Sequence, residues 1–243
     1  DEKVLNDFYS KSYFKSHDPI FGYSNYIEDE EIIRINARYI LSEFPKFKDC
    51  LPKILDIGCA HGFLLDEARK LDWTTEGLEF SAEAANYAIN KLNLAVSTGS
   101  IMQTDFPKNN FDIVTIIGVI EHLADPIAAI RKINKILKPV GYLAITTINI
   151  KGLVRLFDLK PPEHTFYFSA KNLSLLLKTE NFKVMKSLPY WCFYNLNEAL
   201  DRAFRLIFKS SKRIEEFLGK FPFLKYPIKV PTNEMFVLAR KIK

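Results

Sequence analysis

At 243 residues, with 48% of them hydrophobic, the chain is long enough for one large globular domain or a domain with an appendage. No apolar run approaches the roughly 20 residues needed to cross a bilayer, and the opening Asp1-Glu2-Lys3 does not resemble a signal peptide. The net charge of +5 is too mild to call for a nucleic-acid partner, and Cys50, Cys59 and Cys192 are odd in number and unclustered, which suits a reducing compartment, the cytoplasm, better than a disulfide framework.

Residues 1–27 are rich in aromatics: Phe8, Tyr9, Tyr13, Phe14, Phe21, Tyr23 and Tyr26. Ile32, Ile33, Ile35, Ala37, Ile40 and Leu41 then give one helical face that ends before Pro45. The stretch Lys53-Ile-Leu-Asp-Ile-Gly-Cys-Ala-His-Gly-Phe-Leu-Leu-Asp-Glu-Ala-Arg-Lys70 reads as strand, glycine turn and helix. Gly58 and Gly62 allow a close backbone approach to a ligand, and Asp56 stands at the carboxyl end of the strand, where open α/β sheets bind ligands. Trp73 to Leu78 reads as a second strand. It ends in Glu79, 21 positions after Gly58, a spacing suited to an acid that accepts hydrogen bonds from a ribose diol. The two features in register imply a nucleoside ligand. A dinucleotide fingerprint started at Gly58 would need glycines where Ala60 and Phe63 stand, so the pyrophosphate reading is demoted.

Ser81 is an N-cap for a helix carrying Ala84, Ala85, Ala88, Ile89 and Leu92, and Leu94 to Ser97 is a short third strand leading to Gly99-Ser100-Ile101. Ile113 to Ile120 is the continuous apolar run of a central parallel strand, ending at Glu121-His122. Asp125-Pro126 starts a helix with Ile127, Ile130, Ile133, Ile136 and Leu137 on its buried face, and Lys138-Pro-Val-Gly141 turns into the strand Tyr142 to Thr147. This alternation belongs to the doubly wound class.

The chain resembles the class I methyltransferases that use S-adenosylmethionine. Their acid-x-Gly-x-Gly-x-Gly motif stands here as Asp56-Ile-Gly58-Cys59-Ala60-His61-Gly62, with Ala60 at the usual middle glycine. The likeness continues through Phe111 to Pro126 and through Leu137-Lys-Pro-Val-Gly-Tyr-Leu143. The resemblance implies a Rossmann-like, mostly parallel seven-stranded sheet with an antiparallel last strand. It implies cofactor contacts from Asp56, Gly58, Cys59, Ala60, Gly62, Glu79, Phe80, Ser100, Ile101, Gly118 and Val119. An acid commonly stands where Ser100 does; the hydroxyl can still accept one hydrogen bond from adenine, with Ile101 as an apolar wall. Glu121-His122 is similar to the ubiquinone-pathway O-methyltransferases, in which an acid three residues earlier helps hold a metal. Gly118 occupies that position here, so no metal is expected. Related enzymes also close the pocket with an aromatic arm, which makes residues 1–45 either a lid or a segment packed over the core, ahead of a methyltransferase domain at 46–243.

Residues 148–168 are the expected substrate segment. Pro161-Pro-Glu-His-Thr-Phe-Tyr-Phe-Ser169 joins a stiff turn, His164 and three aromatics, either as core or near the methyl acceptor. Ser169 caps a helix with Leu173, Leu175, Leu176 and Leu177, and Phe182 to Pro189 and Asn233 to Ala239 read as the last strands. Between them, residues 195–230 carry eight Lys/Arg against four Asp/Glu, so +4 of the net charge lies in a basic helical insertion, a solvated face or a peripheral contact with anionic lipid. The reading is a methyl transfer to a hydroxyl on a sugar, phenol or lipid-linked small molecule. His164 is favoured as the base, with His122 the second catalytic candidate. The alternatives are a membrane-surface or non-catalytic protein on the same fold and, further off, a nicotinamide-dependent oxidoreductase.

Overall fold

The computed structural model describes residues 27, 29–47, 51–152, 164–196, 200 and 226–242. The aromatic arm, Cys50, the middle of the variable segment and the body of the basic insertion lie outside them. Seven strands form one sheet: β1 (Lys53–Ile57), β2 (Thr74–Glu79), β3 (Val96–Thr98), β4 (Phe111–Ile117), β5 (Leu137–Ile148), β6 (Phe182–Asn195) and β7 (Pro227–Lys241). Among the described residues the helices that pack on it are α1 (Glu30–Ser42), α2 (Phe63–Arg69), α3 (Ala82–Leu92), α4 (Pro126–Ile136) and α5 (Ala170–Thr179). Strand order is β3-β2-β1-β4-β5-β7-β6, and β7 runs antiparallel to both its neighbours.

Strand alternation explains why helices cover both faces. Leu55, Val114, Leu143 and Val237 point to one side, where Ile130 and Ile133 of α4 and Leu173 and Leu177 of α5 pack on them. Ile54, Ile113, Ala144 and Leu238 point to the other, against Ile40 and Leu41 of α1, Leu65 and Ala68 of α2 and Ala88 of α3. The helix starts are capped as their sequences dictate. Ala84 N–H donates to the Ser81 hydroxyl, Ala128 N–H to the Asp125 carboxylate at 2.9 Å, and Ser169 and Asn172 cap α5 reciprocally. Ile127, expected on a buried face, is exposed, as are Ile89 of α3 and Leu175 of α5.

Three boundaries differ from the sequence reading. β4 stops at Ile117 instead of Ile120, because Gly118 turns to φ +63 and gives its N–H to Thr146 O; Glu121 and His122 sit on a 3-10 turn, Ile120–His122. The expected turn at Lys138–Gly141 is a bulge inside β5: Leu137 pairs with Phe111 and Tyr142 with Ile113. β6 and β7 together reach Asn195 and Pro227, so both ends of the expected 195–230 insertion are strand.

Candidate active site

β1 and β4 are adjacent although β2 follows β1 in the chain, and this reversal opens a crevice at their carboxyl ends. The turn after β1 lines it. Gly58 N–H donates to Leu78 O at 2.7 Å and Gly62 N–H to Cys59 O at 2.8 Å, with both glycines at positive φ. A Cβ on Gly58 would stand 2.5 Å from Val119 Cγ2, so the turn and the end of β4 touch where only glycine fits. Ala60 also takes positive φ, 48°, in the place of the motif's middle glycine. Its N–H is held at 2.8 Å by Glu79 Oε2, which offsets the strain of an L-residue there.

Glu79 does more than its position suggests. It is buried, and its other carboxylate oxygen accepts from Ser81 N–H at 2.8 Å, so one side chain braces both the glycine turn and the start of α3. Burial pushes its pKa up against the pull of these N–H donors. The Phe80 N–H bonds the carboxylate as well, so of its roughly four lone-pair directions one is left for a ligand hydroxyl. Asp56, under the turn, accepts from Thr115 Oγ1 at 2.6 Å, and burial, with a contribution from the charge of Glu79, pushes it up to about 7. Burial likewise raises the Cys59 thiol, leaving it a packing group with a backbone role.

Phe80 follows Glu79 directly. Ser100 accepts from Met102 N–H at 3.2 Å, and Ile101 is buried in the core with Leu78. Gly118 is the open point of the site: a Cβ there would meet nothing within 4 Å. On the turn that follows it stand Glu121 and His122, and the structure brings His164 to them, so that one carboxylate oxygen and one nitrogen of each imidazole lie within 4.8 Å of one another. The imidazole rings of His122 and His164 meet edge to face at 4.8 Å, and Glu121 and His164 are buried. The chain after β5 is stitched to this turn, since Thr165 N–H and Phe166 N–H both donate to Glu121 O at 2.9 and 3.1 Å. The two candidate histidines, from separate elements, therefore share one place.

Sequence reasoning missed two supports. Thr147 Oγ1 donates to Glu121 Oε2 at 2.9 Å, and Thr115 holds Asp56; each looks in the sequence like an ordinary strand threonine. It also missed the packing of His61 against Tyr87, at 4.8 Å between ring centroids, where burial keeps the imidazole below its ordinary pKa.

A family model described as a methyltransferase domain matches residues 29–187, more than half of the chain. The chain belongs to this methyltransferase family. Ubiquinone biosynthesis O-methyltransferase of Actinobacillus pleuropneumoniae serotype 7 (strain AP76) is 32% identical over 107 residues, 40% of this chain and 46% of that protein. The enzyme of the same description from Rhodopseudomonas palustris (strain TIE-1) is 33% identical over 101 residues, 40% of each chain. The match thus spans less than half the length of these relatives. Among solved structures, a SAM-dependent methyltransferase from Archaeoglobus fulgidus superposes with a TM-score of 0.60 at 19% identity, covering 87% of this chain and 94% of that one. Phosphoethanolamine N-methyltransferase 2 of Haemonchus contortus, solved with S-adenosyl-L-methionine, gives 0.60 at 17% identity, covering 86% and 53%. The fold is that of the Rossmann-like, S-adenosylmethionine-dependent methyltransferases, and membership of the family sets the oxidoreductase alternative aside.

Proposed function

We propose that this methyltransferase moves a methyl group from S-adenosylmethionine to a hydroxyl oxygen of a small-molecule acceptor of the phenol, sugar or lipid-linked class. The observation that carries the reading is the cluster of Glu121, His122 and His164 beside Gly118, at the same carboxyl edge of the sheet as the Gly58–Gly62 turn. Bound there, S-adenosylmethionine supplies an electrophilic methyl group on a positively charged sulfur. Glu79 would hold the ribose, the backbone of Gly58, Cys59, Ala60 and Gly62 would face the amino-acid portion, and Phe80, Ser100 and Ile101 would border the base, with Asp56 and Val119 beneath.

The acceptor would enter past Gly118. Its oxygen would take the methyl group that the sulfonium supplies, and His164, with His122 beside it, would accept the hydroxyl proton. Alignment can supply most of the rate, since well-oriented reactants reach effective molarities of roughly 10⁵ to 10⁸ M, and assistance to proton loss adds about 10² to 10⁴. The compartment we infer is the cytoplasm, which the odd number and wide spacing of the three cysteines in the sequence support; among the described residues, no helix is long and apolar enough to cross a membrane.

A screen of phenol, sugar and lipid-linked acceptors for release of S-adenosylhomocysteine tests the reading. His164→Ala is expected to lower turnover by about 10² or more with S-adenosylhomocysteine affinity intact, while His122→Ala disturbs both. Calorimetry that finds NAD binding and no S-adenosylhomocysteine binding would overturn it.

A further inference from the structure

The segment that follows β3, residues 102–108, and one face of α4 enclose a cavity of about 380 Å³. Its floor is apolar, made by Met102, Phe106 and Ile136, with Phe106 held edge to face on Phe111 at 5.7 Å. Its rim is cationic. α4 contributes Arg131, Lys132 and Lys135, and Lys108 comes from the other wall, against the carboxylate of Asp105. We propose that this groove is an effector site for a small molecule that carries a phosphate on an apolar or aromatic body, and that its occupancy loosens the hold on the cofactor through Lys132.

Lys135 follows Arg131 by one turn of helix and Lys132 by three positions, so the three cations share a face and repel one another, a repulsion that an anion seated between them relieves. Arg131 is already held by Glu180 through two hydrogen bonds, at 3.1 and 2.8 Å, and forms a fixed wall. Among the described residues, no ion pair engages Lys108 or Lys135. Lys132 pairs with Asp105 at 3.3 Å, but Asp105 is almost fully exposed, so water screens the pair and a bound phosphate can replace it. Three lysines converging on one opening are point-charge ligands for a phosphate. The apolar floor adds a demand for a body on that phosphate, and the volume suits one small molecule.

The same lysine reaches the cofactor side. Lys132 Nζ donates to Met102 O at 3.2 Å, and Met102 N–H in turn donates to the Ser100 hydroxyl at 3.2 Å. Gln103 N–H and Thr104 N–H both donate to Ser100 O, at 3.0 and 2.9 Å, which closes the turn. Lys132 thus ties α4 to the turn whose Ser100 and Ile101 border the base in the proposed function, and the coupling, though not the binding, rests on that reading. A phosphate that draws the ammonium away from Met102 O frees the turn. Reciprocity then requires effector and cofactor to weaken each other by the same factor.

Calorimetry on the purified full chain, with naphthyl phosphate and separately with inorganic phosphate, tests the site. Naphthyl phosphate is expected to bind once per chain, about tenfold or more tighter than inorganic phosphate, because its rings cover the apolar floor. A chain with both Lys108→Ala and Lys135→Ala should bind it about tenfold or more weakly, and circular dichroism confirms that this variant is folded. Saturating naphthyl phosphate should lower S-adenosylhomocysteine affinity about fivefold or more and then level off. Lys132→Met should lower that affinity without the probe and abolish the probe's further effect. No binding by the wild type at millimolar probe, equal binding by wild type and the double variant, or binding to phosphatidic acid vesicles in place of the soluble probe would overturn the site. A loss of S-adenosylhomocysteine affinity that keeps growing with probe would put the probe in the crevice and overturn it as well, and an unchanged affinity with probe bound would overturn the coupling. Failure of the probe with S-adenosylhomocysteine still bound leaves the proposed function standing. Probe binding that follows the lysines, in a chain that binds no S-adenosylhomocysteine, upholds the groove and sinks the proposed function.

Discussion

Glu79 concentrates several jobs in one carboxylate, and its loss has a predictable size. Glu79→Ala removes the acceptor for Ala60 N–H and Ser81 N–H as well as the group suited to a ribose diol. Hydrogen bonds to a charged group contribute about 1.5 to 3 kcal/mol each, so S-adenosylhomocysteine affinity should fall by at least that amount in calorimetry; an unchanged affinity would mean the ribose is held elsewhere. Asp56 gives a prediction in pH. Its folded pKa of about 7, against 3.8 for the ordinary group, means that the folded chain binds more protons than the unfolded one between those values. The stability it contributes is therefore full below about pH 4 and is lost as pH rises through 7. Relative to Asp56→Asn, the wild type should lose melting temperature from pH 4.5 to 8.5, and a pH-independent difference would show that Asp56 stays ionised throughout. The spacing of Gly58 and Glu79 was legible in the sequence because a strand, a turn and a strand are local. The meeting of His122 with His164 was not, since nothing in a sequence measures the distance between two loops 42 residues apart.

At the scale of elements, α1 is fastened to α2 by charge as much as by its apolar face. Arg34 donates to Asp66 at 2.6 Å and Glu67 at 2.9 Å, bonds Glu30 within its own helix, and lies over the Phe63 ring at 4.9 Å. Asp66 and Glu67 are both buried, so Arg34→Leu strands carboxylates that Arg38, Arg69 and Lys70 only partly serve. Breaking such a pair should cost about 3 kcal/mol in urea unfolding, and a change below about 1 kcal/mol would show that the remaining cations take over. Burial alone would raise Glu67, but hydrogen bonds from Lys70, Arg38 and Arg34 bring it to about 2. Its contribution is therefore present above about pH 4.5 and lost as pH falls toward 2. Helix positions were readable from period and caps. The reach of the last two strands was not, because Pro189, Pro227 and Pro231 argue against strand interiors. They are tolerated where they stand: β6 is an edge, and the first residues of β7, opposite Trp191 to Asn195, have β6 as their strand partner while β5 pairs further along, from Glu234.

For the whole molecule, the reversal of strand order between β1 and β4 puts the glycine turn, Glu79 and the histidine cluster along one edge, so a ligand there ties both halves of the sheet together. S-adenosylhomocysteine at 100 times its dissociation constant should add about 2.7 kcal/mol and raise the melting temperature by roughly 5 to 10 °C, while NAD at the same concentration should not; equal shifts would refute the selectivity. The doubly wound class was legible because alternating elements admit few arrangements. The antiparallel run of the last strand came from family likeness alone, and the position of β7 between β5 and β6 was not legible, since long connections separate it from both neighbours. That position governs how the protein is born. A chain made from its amino end has β1 to β5 available early, yet β6 emerges without a strand to lie against and β5 keeps an open flank until the final strand leaves the ribosome. Residues Pro227–Lys241 thus act as a late-arriving wedge. Until they arrive, two unpaired strand flanks invite pairing with another nascent chain, and a ribosome that stops short of residue 227 releases a chain that carries every residue of the crevice but cannot close its sheet.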